Sequence, residues 1–103
     1  MNQLVLIGRI KEIKKEQAEN GSKKVIVTLA VSQAFKNFDG EYDTNFIDCI
    51  LFGYIADNTL EYCAVGDLVG IKGRIQRINL EKPMELIAEK LTFLSARKED
   101  KGE

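Results

Sequence analysis

The sequence predicts a small all-β barrel of five strands with one short helix. Three observations predict it. Five segments carry strand patterning, glycines and short polar clusters separate them, and only the stretch between the third and fourth shifts to a helical period. At 103 residues the chain is one domain long. That is enough to bury one core without disulfides or metal.

Met1 to Lys15 reads as the first strand, with Leu4, Leu6, Gly8 and Ile10 alternating with Val5, Ile7, Arg9, Lys11 and Ile13. The cluster Glu16 to Ser22 contains Asn20-Gly21 and is a loop. Lys23 to Phe35 is β-branched and apolar, a strand covered largely on both faces. Lys36 to Thr44 centres on Asp39-Gly40, a hairpin signal, and Asn45 to Phe52 is the third strand. From Tyr54 to Cys63 the period changes, with Ile55, Ala56, Leu60 and Cys63 on one helical stripe. Gly66 is the glycine expected to close that helix. Leu68 to Ile78 returns to period two, and Met84 to Leu94 is the last strand. Glycines inside strands (Gly8, Gly70, Gly73) fit the tight coiling and close backbone approach of a barrel. Five strands at this length suit the OB-fold, a partly open Greek-key barrel. Residues 1–94 form that domain, and residues 95–103 are a charged tail expected to fray.

Composition narrows function. There is no histidine, so His-dependent catalysis and His-containing metal sites are excluded. Cys49 and Cys63 stand in apolar contexts as small reduced hydrophobes. Asp48, Asp57 and Asp67 are scattered, and scattered aspartates are usually solvated. The reading is a non-catalytic protein without metal or cofactor. No apolar run reaches the roughly 20 residues of a membrane span. The opening Met1-Asn2-Gln3 lacks signal-peptide character, which points to a cytoplasmic protein.

Net charge is -1, but its distribution is uneven. Residues 1–34 hold six basic and three acidic groups, residues 35–67 one and seven, and residues 68–103 eight and six. Arg9, Lys11, Lys72, Arg74 and Arg77 therefore sit on strands one and four, where outward cations would follow a phosphate backbone. Exterior lysines and arginines also serve solubility alone, so charge by itself does not decide.

Aromatic placement decides more. Seven of the eight aromatics lie between Phe35 and Tyr62. On the third strand Phe46, Asp48, Ile50 and Phe52 share one face and Ile47, Cys49 and Leu51 the other, which is the better core. Phe46 and Phe52 are then exposed rings that need a partner, either bases or a neighbouring subunit. Alternation places Phe35 with Val27, Leu29 and Val31, so it reaches the outer face only through a bulge near Ser32-Gln33.

Four segments resemble bacterial single-stranded DNA-binding protein: Met1 to Ile10, Val27 to Phe35, Phe46 to Asp57 and Val65 to Gln76. Their order and spacing match across residues 1–94. The resemblance implies an OB-fold that assembles as a homotetramer, a dimer being the lesser alternative, and acts in replication, recombination or repair. It implies stacking on Phe35, Phe46 and Phe52 and backbone contacts from Arg9 and Arg74. Lys11, Lys72 and Lys36 are further phosphate candidates, and Phe38 and Tyr42 assist from the hairpin. The chain departs from the family's pattern in a short loop around Asn79 to Pro83, in Tyr54, in Asp48 and in Ala64-Val65, each lowering groove potential. Leu80 is nearest to a fourth stacking position. The acidic tip that recruits repair proteins is missing, so no recruitment of that kind is expected. The alternative reading is a primosome-type protein-interaction module on the same fold, which the acid of residues 35–67 favours.

Overall fold

The computed structural model describes residues 1–17 and 19–97. Five strands and one helix follow in the order β1 (Leu4–Gln17), β2 (Lys23–Lys36), β3 (Tyr42–Phe52), α1 (Gly53–Tyr62), β4 (Leu68–Gln76) and β5 (Glu85–Ser95). The strands close into a barrel of order β1-β2-β3-β5-β4. All neighbours are antiparallel except β3 and β5, whose short parallel pairing (Cys49 with Leu86, Ile50 with Ile87) completes the closure.

Alternation fills the interior. Ile10, Val25, Val27, Leu29, Cys49, Leu51, Val69 and Ile71 are buried together, and Ala56 of α1 joins them. Burying a side chain of this size stabilises by about 1.5–3 kcal/mol, and these residues dominate folding. Strand β1 serves two neighbours: residues 4–9 pair with β4, and β2 pairing runs from Arg9 to Gln17. A bulge between Ile10 and Glu12 resets its phase, which is why Ile13 packs on the core although simple alternation puts it outside.

Two intrastrand glycines are required by crowding. A Cβ on Gly8 would stand 2.5 Å from the Ala30 carbonyl oxygen, and one on Gly73 would overlap the Ile87 carbonyl. Gly70 differs, since its nearest neighbours, Leu94 and Ile7, leave ordinary contact distance.

Helix α1 ends at Tyr62, with Cys63 as its extended C-cap. Gly66 does not close the helix. At φ +100 it turns the chain into β4, and its N–H donates to the Ile10 carbonyl at 2.8 Å. Asp67, also buried, accepts from the N–H of Ala64 and of Arg97, both at 2.9 Å, and so ties the end of β5 to this turn. Strand β4 stops two residues short of Ile78, because Arg77 turns inward on its own loop and donates to the carbonyls of Leu80 and Lys82. Arg77 is a loop organiser, not an outward strand cation. The last strand extends through Ser95, one residue into the segment expected to fray, and Lys98 to Glu103 lie outside the described residues.

Candidate nucleic-acid interface

The outer face of β2 and β3 is built in rows by antiparallel register. Along it run Lys36 beside Tyr42, Ser32 beside Thr44, Ala30 beside Phe46, Thr28 beside Asp48, Ile26 beside Ile50, and Lys24 beside Phe52. Strand β1 extends four rows: Arg9 lies beside Ala30, Glu12 beside Thr28, Lys14 beside Ile26 and Glu16 beside Lys24. On the other side Ile87 of β5 continues the Ile50 row, and Arg74 of β4 lies beside Ile87.

Phe46 and Phe52 take the outer side of β3 as expected, whereas Ile50, expected with them, is buried where β5 pairs. Phe46 is 62% exposed and Phe52 41%, whereas Cys49 and Leu51 are fully buried. Phe35 is exposed as well, released by a register shift between Ser32 and Lys36 that leaves it out of the regular ladder. Phe38 stands fully exposed at the hairpin tip. The hairpin owes its shape to Asn37, which the aromatic pattern did not single out. Its side-chain oxygen accepts from the N–H of Asp39 and Glu41 at 2.9 and 3.0 Å, while its amide donates to Asp43 at 2.9 Å. An asparagine two residues before Asp-Gly is the signal that could have found it.

Each ring of the ladder shares its row with a cation. The Lys36 ammonium lies 5.8 Å from the centre of the Tyr42 ring. Lys24 is the cross-strand neighbour of Phe52, and its ammonium is 3.9 Å from Glu16. Arg9 shares the Phe46 row two strands away, roughly 10 Å across the sheet. One of its N–H groups donates to the Gly66 carbonyl at 3.2 Å, which fixes the guanidinium near the α1–β4 turn.

Other candidates lie elsewhere. Lys72 faces outward beside Val5 and Lys90, on the β1–β4–β5 surface and away from the rings. Arg74 reaches the Ile50 row but is ion-paired with Glu89 at 3.1 Å. Lys11 falls in the β1 bulge, so Lys14 takes the outward place beside Ile26. A continuous cationic track along β1 and β4 is therefore not formed, because Val5, Ile7, Gly70 and Leu68 occupy its middle. Lys14 and Lys24 are the cations the sequence reading missed, the first hidden by the bulge and the second by treating β2 as covered on both faces.

A groove of about 620 Å³ opens at the Phe52 end, lined by Asn20, Ser22, Lys24, Phe52, Ile78 and Lys82 among others. It lies between the β1–β2 and β4–β5 loops, where OB barrels take oligonucleotides. The three aspartates do not gather. Asp48 accepts from Thr28, Asp57 pairs with Lys23 at 2.7 Å, and Asp67 is bound to backbone. Among the described residues no cluster of metal-ligating side chains forms, and no helix is long and apolar enough to cross a membrane. Burial, assisted by the charge of Asp48, pushes the Cys49 thiol up to about 12. Burial and then Asp67 raise that of Cys63. Both stay protonated at neutral pH.

The model of the Single-strand binding protein family matches residues 1–94. Single-stranded DNA-binding protein B of Bacillus subtilis (strain 168) is 34% identical, over 98% of this chain and 96% of its own length. The single-stranded DNA-binding protein of Bacillus cereus is 35% identical over 94% of this chain, which spans only 62% of that longer relative. Among solved structures, the mitochondrial single-stranded DNA binding protein Rim1 of Saccharomyces cerevisiae superposes with a TM-score of 0.75 at 23% identity, covering 94% of this chain and 97% of that one. The barrel is an OB-fold.

Proposed function

This chain belongs to the single-strand binding protein family, and from that premise we propose that it binds single-stranded DNA on the outer face of β2 and β3, without catalysis. The observation that carries the reading is the ladder of exposed rings, Tyr42, Phe46 and Phe52, each in a row that also holds a cation. Stacking on an aromatic is tolerant of sequence and contributes about 1–3 kcal/mol per base. Phe35 and Phe38 add rings at the hairpin. Arg9, Lys14 and Lys36 hold phosphates, with Lys24 and Arg74 joining when they leave Glu16 and Glu89.

The same reading includes self-association, with a homotetramer as its favoured form. Residues 4–8 of β1 pair with β4 alone, and the outer side chains there, Val5 and Ile7, continue into Leu94 as an exposed aliphatic patch. The reading extends to a cytoplasmic role in replication, recombination or repair, in keeping with the bacterial relatives.

Titration of labelled oligo-dT by anisotropy tests the binding. Affinity is expected to fall roughly tenfold or more as salt rises from about 50 to about 200 mM. No binding at the lower salt refutes the proposal. A second reading, a protein-interaction module with feeble DNA binding, draws on Asp39, Glu41 and Asp43 crowding the hairpin. Tight capture of a basic protein partner alongside millimolar DNA affinity would favour it.

A further inference from the structure

The outer face of β3 carries something a purely stacking surface does not need. Between the rings of Phe46 and Phe52 stands the exposed carboxylate of Asp48. Same-face neighbours on a strand are about 7 Å apart. A base stacked on Phe46 thus brings its edge to the next position of that face, and that position is an acid. The carboxylate is also held: the Thr28 hydroxyl donates to Oδ1 at 2.6 Å from the adjacent strand, leaving Oδ2 to meet a ligand.

A carboxylate only accepts hydrogen bonds. The amino group of cytosine, at N4, is a donor, and aspartate is one of its natural acceptors. Thymine carries a carbonyl at the same place, whose lone pairs face those of the carboxylate. The two pyrimidines offer rings of similar size, and the effect of Asp48→Asn on the ratio between them separates this contact from differences in strand flexibility. We propose that Asp48 makes the binding face base-selective, favouring bases with an exocyclic amino group over thymine. Thr28 acts as its positioning residue. The inference rests on the single-strand binding reading and adds a selectivity that stacking and phosphate contacts alone would not produce.

The test compares labelled oligo-dC and oligo-dT of equal length by anisotropy at pH 8 and low salt, with the full chain. Oligo-dC is expected to bind about fivefold more tightly or better. Asp48→Asn, which can both donate and accept, brings the ratio close to one, chiefly by improving oligo-dT. Glu12→Gln removes the same charge on the other side of Thr28. It strengthens both oligonucleotides and leaves the ratio as it was. Equal binding, or a preference for oligo-dT, in the unaltered protein overturns the inference while leaving single-strand binding intact. A ratio unmoved by Asp48→Asn, or collapsed equally by Glu12→Gln, overturns it too. Failure of every oligonucleotide to bind removes both proposals together.

Discussion

Two outer surfaces of one barrel expose apolar groups, and they differ in how those groups are spaced. On β2 and β3 the exposed groups are rings set apart along the strands, with Lys36, Arg9 and Lys24 in the same rows. On the face shared by β1, β4 and β5 they are aliphatic and contiguous: Val5, Ile7 and Leu94, with Gly70 bare between Ile7 and Leu94, while the exposed ring of Phe93 on β5 lies apart from them, beside Tyr54 and Tyr62 of α1. Spaced π-faces beside cations suit bases strung on a charged backbone. A continuous aliphatic patch has no use for a base and suits another protein surface. Exposure alone does not identify a partner; spacing and the neighbouring charges do.

The comparison breaks most visibly at Ile7. An Ile7→Asp substitution places a charge in the aliphatic patch and is expected to reduce the particle to a monomer by light scattering, with its circular dichroism retained. An assembly that persists would mean the patch is not the contact surface. Next in size is Phe46→Ala, expected to weaken oligo-dT binding by about 1–3 kcal/mol without changing the particle mass. If the mass falls instead, Phe46 belongs to the contact between copies and the two surfaces have been assigned the wrong way round. Phe52→Ala should cost somewhat less, since that ring is the less exposed of the two.

The smallest effect concerns the core that both surfaces share. The folded Cys49 thiol titrates at about 12, above its ordinary value of 9.0. The folded state therefore keeps a proton that the unfolded chain gives up. The contribution to stability is whole below pH 9.0 and is lost progressively as pH rises toward about 12. Urea melts at pH 8 and pH 10.5 should show the decline, and Cys49→Ala should lessen it. In the native protein at pH 8, Cys49 should resist a thiol reagent until the chain unfolds.

The strand count, the helix between β3 and β4, and the faces of β3 were legible because each depends on local alternation. Phe46 and Phe52 were found for that reason. The faces of β1 were legible only as far as Ile10, since the bulge that follows depends on β1 turning from β4 to β2. Alternation alone points to Lys11, and the bulge puts Lys14 in the outward place beside Ile26. Arg77 illustrates the same limit, for its partners are carbonyls of a loop whose path alternation does not describe. Alternation ties the exposure of Phe35 to a bulge near Ser32-Gln33, and a register shift between Ser32 and Lys36 accompanies it.

What the sequence by itself determined is which side chains share a face, because a strand turns every second residue the same way. What only the tertiary structure decided is which faces meet. Register between strands far apart in the chain put Arg9 in the Phe46 row, Lys24 beside Phe52 and Thr28 against Asp48. It also carried Lys72 to the opposite surface. Those neighbours are set by closing the barrel around its buried residues, a condition on the whole chain that no local segment contains.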